Sequence, residues 1–301
     1  MPKLAILSRN PKLYSTSRLV EAAGARGAEA LVIDPLHCVV NLSKKLPEID
    51  YHGRIVKDVD GVIPRIGASI TFYGLAVLRQ FEMMGVFAAN ESQAVARSRD
   101  KLRSLQLFSR RDIGIPRTAF ARRREDLRDA IERVGGTPVV LKLLEGTQGV
   151  GVILAESVLD AMHSLKQNIL IQAFIKESAG QDIRAIVVGD RVVAAMRRRA
   201  AAGEFRSNVH RGGSTEAVEL EPAYEATALD AVHSLGLSIG GVDLMPSNDG
   251  PMVLEVNSSP GLMGIEAATG RDVAGAMIDF VLEHIDRPPR DAGGAGKAPR
   301  G

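Results

Sequence analysis

The chain of 301 residues has no tryptophan and one cysteine, and aromatic residues make up only 4% of it. The lone thiol, Cys38, excludes an intramolecular disulfide and leaves a metal site of the multi-cysteine kind without ligands. So few aromatics offer little on which nucleic-acid bases could stack. An excess of one charge is also missing. With 38 Lys and Arg against 36 Asp and Glu, no overall field draws the protein to nucleic acid or a membrane surface. No apolar run is long enough to span a bilayer. The opening segment holds only the short run Leu4-Ala5-Ile6-Leu7, without the longer hydrophobic stretch and cleavage site of a signal peptide. A soluble, cytoplasmic protein is expected, with no membrane and no direct nucleic-acid partner. What is present is a hydrophobic content of 45%, enough at this length for more than one packed core. Residues 287–301, rich in Pro, Gly and Arg, are expected to form a loose tail.

Over the first hundred residues, β-like runs at 3–8, 30–34, 61–66 and 86–89 alternate with helical stretches at 16–25 and 75–84. Another helix opens at Asn90-Glu91-Ser92. This order predicts a small open α/β sheet. Ser15, Thr16 and Ser17 are candidate caps of the first helix, and Gly24 and Gly27 candidate stops. From Asp100 the pattern changes to a helix over 102–111, strands over 139–144 and 150–154, a helix near 158–166 and a strand over 169–175. A hairpin over 184–196 turns at Gly189-Asp190, a helix covers 224–235, and a last hairpin follows.

That last hairpin runs Gly240-Gly241-Val242-Asp243-Leu244-Met245-Pro246, turns through Ser247-Asn248-Asp249-Gly250, and returns as Met252-Val253-Leu254-Glu255-Val256-Asn257. A turn centred on Asp249 puts Asp243 across from Glu255, and strand alternation puts Asn257 on the face of Glu255. Val242, Leu244, Leu254 and Val256 then share the apolar face. Two facing carboxylates repel unless something neutralises them, and a divalent cation does so. Oxygen ligands without His or Cys favour Mg²⁺, with Mn²⁺ as a substitute. A solvated polar hairpin face is the competing reading. Ser258-Ser259-Pro260-Gly261 weighs against it, because it turns the chain away and leaves the three residues at a strand end.

Lys142 interrupts the apolar strand Val139-Val140-Leu141-Lys142-Leu143-Leu144, just ahead of Glu145-Gly146-Thr147-Gln148-Gly149-Val150-Gly151. A charge in such a strand needs a partner, and a glycine-rich loop lets backbone N–H groups approach phosphate oxygens. The lysine precedes the glycines and the pattern is strand-loop-strand, which disfavours a Walker A loop. Glycines at this density also mark plain hairpins, so the loop gains meaning from the hairpin described above. Between Arg184 and Arg211 lie Arg191, Arg197, Arg198, Arg199, Arg206 and His210, opposed in sequence only by Asp190 and Glu204. This predicts a local cationic surface, part of it solvated and part suited to polyphosphate or to a substrate bearing several carboxylates.

These residues resemble the RimK-type α-L-glutamate ligases of the ATP-grasp superfamily over residues 3–286. The resemblance rests on Ile6-Leu7-Ser8-Arg9, Val62-Ile63-Pro64-Arg65-Ile66-Gly67, Thr71-Phe72-Tyr73-Gly74, Arg99-Asp100-Lys101-Leu102-Arg103, Lys142 with Glu145-Gly146-Thr147-Gln148-Gly149, Asp182-Ile183-Arg184, Phe205-Arg206-Ser207-Asn208, His210-Arg211-Gly212-Gly213 and Glu255-Val256-Asn257-Ser258-Ser259-Pro260-Gly261. It implies an α/β (α+β) chain with an ATP-grasp fold. An N-terminal open α/β pre-ATP-grasp domain would span residues 1–97. The ATP-grasp domain would span 98–286, with a lid subdomain at about 115–178 and a metal and substrate subdomain at 179–286.

The resemblance also assigns roles. Lys101 and Lys142 would contact ATP phosphates, Gln172, Ala173, Phe174 and Ile175 would meet the adenine, and Asp182 would sit near the ribose. Arg206, Ser207 and Asn208 would line the nucleotide site, with Arg206 and Lys142 assisting catalysis. Asp243, Glu255 and Asn257 would bind two magnesium ions, Glu255 bridging them. Ala173 departs from the pattern, since relatives often carry an acidic residue there. The implied reaction adds free L-glutamate to the C-terminus of a small-subunit ribosomal protein through an acyl phosphate, with poly-α-glutamate as a further product and a homotetramer as the assembly. Modification of a cofactor tail or an amino-acid carrier protein is the nearest alternative. A non-catalytic nucleotide- or RNA-binding regulator is the alternative of another class. No nucleophilic side chain is required, and His163, His233 and His284 are read as surface or core residues.

Overall fold

A computed structural model describes residues 1–143, 152–158, 168–201 and 213–285. The chain divides into two compact units, one of Met1–Ser92 rejoined by the chain at Met277, the other of Gln93–Ala276.

The first unit opens with β1 (Lys3–Leu7), α1 (Tyr14–Ala25) and β2 (Glu29–Ile33). After β3 (Cys38–Ser43), β4 (Leu46–Tyr51) and β5 (Arg54–Ile55) come β6 (Gly61–Pro64), α2 (Thr71–Met83) and β7 (Phe87–Ala88). The strands β2-β1-β6-β7 form one parallel sheet. Leu4, Ala5, Ile6 and Leu7 are all buried, as a parallel strand covered on both faces requires. The α1 cap differs from expectation. The helix begins at Tyr14 without a side-chain cap, because Thr16 Oγ1 bonds Ser8 Oγ at 2.8 Å and Ser17 Oγ donates to Pro11 O. Gly27, at φ +72°, ends it, whereas Gly24 lies inside it. The antiparallel sheet β3-β4-β5 was not expected from sequence. Its tight turn uses Lys45 at φ +63° where a glycine or asparagine would have signalled a hairpin.

The second unit contains α3 (Ser92–Arg99), α4 (Lys101–Arg110), β8 (Thr118–Ala121), α5 (Leu127–Arg133), β9 (Val139–Leu143), β10 (Val152–Ala155) and β11 (Ile169–Ala173). The antiparallel sheet β10-β9-β11-β8 packs Val139, Leu141, Ile169 and Ile171 against Leu127 and Ile131 of α5. Next come β12 (Gln181–Val188), β13 (Arg191–Arg199), β14 (Ser214–Ala217), α6 (Pro222–Ser234), β15 (Ile239–Met245), β16 (Met252–Asn257), α7 (Met263–Thr269) and α8 (Val273–Leu282). The five strands form an antiparallel sheet ordered β14-β13-β12-β15-β16. One face places Ala185, Val187, Ala195, Val242, Leu244, Val253 and Val256 in a core with Ala228, Ala231 and Val232 of α6. Strand alternation turns Asp182, Arg184, Arg198 and Asp243 to the other face. From Met277 on, α8 belongs to the first unit, where Arg26 forks onto Asp279. There Gly61 leaves room that a Cβ, 2.8 Å from Val281 Cγ1, would fill.

Among the described residues, no helix is long and apolar enough to cross a membrane.

Candidate active site

In β15 and β16, Asp243 pairs with Glu255, Val242 with Val256 and Gly241 with Asn257. The sequence anticipated this register. Between Asp243 and Leu244 it slips, so that Leu244 faces Val253 and Leu254 is left over. Val253 therefore joins the apolar face in place of the expected Leu254, which is half-buried. The bulge also frees the Val253 N–H to donate to Gly114 O at 2.7 Å, so part of the edge strand is covered.

Asp243 is buried and held on both oxygens. Arg184, in register on β12, donates from Nε to Oδ1 at 2.7 Å and from Nη2 to Oδ2 at 2.6 Å. Arg198 Nη2 lies 2.9 Å from the same Oδ2, and its fork clasps both oxygens of Asp182 at 2.6 Å. Burial by itself would raise the Asp243 pKa. Arg184 and then Arg198 outweigh it and hold the carboxyl at about 2. Burial would likewise lower Arg198, but Asp243 and Asp182 push its pKa up.

Glu255 is exposed and accepts from Asn257 Nδ2 at 3.1 Å. Two lysines reach the same neighbourhood. On β9, Val139 and Leu141 point into the core while Lys142 takes the opposite face. Its pKa is lowered, chiefly by burial, against the opposing pull of Glu255; Lys101 lowers it further and Asp243 raises it. Lys101 begins α4 behind its cap Asp100 and donates to Leu143 O at 3.3 Å; burial lowers its pKa and Glu255 opposes that. Four cations and three carboxylates thus share one region of the described structure.

Gln172 is buried at the end of β11 and donates to Thr118 Oγ1 at 2.9 Å, while Ala173 N–H donates to Arg117 O. Phe174 and Ile175 continue half-buried toward the turn Lys176–Ser178. Asp182 enters the site as half of a buried ion pair with Arg198. Arg206, Ser207, Asn208 and the glycine loop Glu145–Gly151 lie outside the described residues.

The expected cationic surface is changed by the fold. Arg184 and Arg198 are neutralised by Asp182 and Asp243, and Arg197 and Arg199 both reach Glu216 on β14. The opposing carboxylates come from neighbouring strands, which sequence proximity does not reveal. The signal for the inner pairs lay in Asp182-Ile183-Arg184, two opposite charges flanking a core residue, each needing a partner.

Among the described residues, no group of three or more His, Cys, Asp or Glu side chains is placed to hold a metal ion. The donor set at hand is two carboxylates and one amide oxygen, all hard, which suits a cation that keeps other ligands from water or phosphate. Glu255 and Asn257 fit that role as they stand. The Asp243 oxygens are already occupied by guanidinium donors.

Comparison with known proteins agrees with this architecture. Residues 98–281 match the RimK-like ATP-grasp domain and residues 2–95 the RimK PreATP-grasp domain. A probable alpha-L-glutamate ligase of Pseudoalteromonas translucida is 59% identical over 285 residues, covering 93% of this chain and 95% of the relative. One from Hahella chejuensis is also 59% identical over 285 residues, with 93% and 94% covered. The RimK domain protein ATP-grasp from Sphaerobacter thermophilus superposes with a TM-score of 0.69 at 25% identity, covering 93% of this chain and 99% of that one. The ATP-grasp ligase PsnB, complexed with minimal precursor, Mg and ADP, superposes with a TM-score of 0.75 at 20% identity, covering 94% and 97%, a likeness of fold.

Proposed function

The chain belongs to the RimK-like ATP-grasp family and is an ATP-dependent carboxylate–amine ligase, and from that premise we propose that it adds L-glutamate to the C-terminus of a small-subunit ribosomal protein in the cytoplasm. The observation that carries the reading is the meeting of Lys101 and Lys142 with Glu255 beside Asp243, a place where anionic phosphate and a hard cation are both accommodated.

In this reading an acceptor carboxylate oxygen attacks the γ-phosphorus of ATP, the bond to the bridging oxygen breaks, and ADP leaves. The glutamate amine then attacks the acyl carbon, the acyl–oxygen bond breaks, and the nitrogen loses a proton as phosphate departs. Lys101 and Lys142 neutralise the phosphates during transfer. Their lowered pKa values reflect burial that the phosphate charge would offset. The backbone from Gln172 to Ile175 offers an edge for the adenine. Glu255, Asn257 and an oxygen of Asp243 would hold magnesium, which when bound supplies positive charge to the transferring phosphoryl group. The reaction needs no side-chain nucleophile. His233 is engaged with Gly189 O and Asp190, and His284 with Phe280 O.

The test is mass spectrometry of candidate acceptors after incubation with ATP, Mg²⁺ and glutamate. The ribosomal protein should gain whole glutamate residues. A cofactor tail or carrier protein gaining them instead overturns the acceptor, and nucleotide binding without glutamate-dependent ADP release overturns the activity.

A further inference from the structure

Two arginines grip Asp243, and they are not alike. Arg198 is sealed in, with 5% of its side chain exposed, and both arms of its fork are committed to Asp182. Its contact with Asp243 is one extra hydrogen bond from Nη2. Arg184 has 18% of its side chain exposed and spends its whole fork on Asp243. Removing Arg198 would take a buried partner from both Asp182 and Asp243, whereas removing Arg184 leaves Asp243 still in contact with Arg198.

The setting adds a charge argument. Among the described residues, Lys101, Lys142, Arg184 and Arg198 outnumber Asp182, Asp243 and Glu255 by one, so a bare divalent cation gains little net attraction from these groups. It also meets an Asp243 whose oxygens are covered. Among the described residues, no guanidinium covers Glu255, which accepts from Asn257 Nδ2. A cation arriving alone would find one open carboxylate and one amide, a poor set for a hard ion.

We propose that Arg184 is a positioning residue that occupies the cation's place on Asp243 while the site is empty, and must release that carboxylate for a divalent cation to bind. The proposal rests on reading Asp243 and Glu255 as metal ligands. The Arg184 fork holds the buried carboxylate ionised and oriented without a metal, and keeps metal affinity low until nucleotide phosphates bring the balancing negative charge. The guanidinium, once released, remains beside the site as a free fork for an oxyanion.

Mn²⁺ is the probe, followed by electron paramagnetic resonance of the free ion and by calorimetry on the nucleotide-free full chain. Wild type should bind weakly. Arg184→Gln should bind at least about tenfold more tightly, since it removes one positive charge and uncovers Oδ1 of Asp243. Arg184→Lys keeps the charge and should stay near wild type, a split that a merely structural role would not produce. Adding Asp243→Asn to Arg184→Gln should abolish the gain. Unchanged or weaker Mn²⁺ binding in Arg184→Gln, with circular dichroism showing a folded protein, overturns the proposal. If Arg184→Gln does not fold, Arg184→Met is measured in its place against the same criterion. The underlying metal reading fails separately, if Mn²⁺ binding in the presence of ADP is indifferent to both Asp243→Asn and Glu255→Gln.

Discussion

Asp243 and Glu255 stand directly across from one another on β15 and β16, yet one is buried under two guanidinium groups and the other is exposed to solvent. Register alone would make them equivalent. Their surroundings separate them, so Asp243 is tied into the fold by its ion pairs and Glu255 is left open to solvent.

Under the proposed magnesium role, Glu255→Gln should lower glutamate-dependent ADP release by at least about a hundredfold, through loss of a charged ligand. Because the side chain is exposed, its stability cost should stay within about 0.5 kcal/mol in urea unfolding. Near wild-type turnover at saturating Mg²⁺ would remove Glu255 from the site.

Asp243 carries a pH signature. Its folded pKa of about 2 lies below its ordinary 3.8, so its ion pairs contribute fully above about pH 4 and are lost as pH falls toward 2. That limb is worth about 2 kcal/mol. Asp243→Asn should be less stable at neutral pH and should lose less stability than wild type between pH 4 and 2. Parallel acid-unfolding curves for the two proteins would contradict this.

Lys142→Met keeps the length of the side chain and removes the charge. It should weaken ADP binding by about tenfold or more in calorimetry while leaving the fold intact, because the charge is already disfavoured by burial. Unaltered ADP affinity would count against a phosphate role.

Arg198→Ala should cost about 3–5 kcal/mol, since it leaves Asp182 and Asp243 short of a buried partner. Chemical denaturation would read this directly. A loss under 1 kcal/mol, roughly that of a surface pair, would mean that water replaces the guanidinium.

Gly241→Ala tests the support behind Asn257, its register partner. An added Cβ would lie 2.7 Å from Pro260 Cβ and 3.4 Å from Ile186 Cδ1. Overpacking of this kind costs about 1–3 kcal/mol. By displacing the segment after Asn257, it should reduce ligase activity more than thermal stability. Full activity would show that Pro260 yields without moving Asn257.

The parts of this site that could be read from the sequence are those set by local rules. The turn at Ser247 to Gly250 fixed where Asp243 falls against Glu255, and the apolar flanks of Lys142 marked it as a charge that needs a partner. The bulge at Leu254 could not be read, because it answers to a hydrogen bond from Val253 to Gly114, far away in the chain. Nor could the pairing of Arg198 with Asp182 and Asp243. Those partners lie on two other strands, and Arg198 sits in a run of three arginines whose neighbours, Arg197 and Arg199, point to Glu216 instead. The β3-β4-β5 sheet went unread because its turn breaks the usual residue preference at Lys45.

The five-stranded sheet packs an apolar core on its α6 face and holds the Asp182, Arg184, Arg198 and Asp243 cluster on the other. Successive residues such as Val242 and Asp243, or Ile183 and Arg184, therefore answer to separate pressures, one to fill volume and the next to match charge. Substitutions on the charged side leave the α6 side undisturbed so long as the charges still balance. Such a scaffold can exchange what it recognises by small steps, each tolerated by the fold, with the interlocked Arg198 cluster as the portion least free to drift.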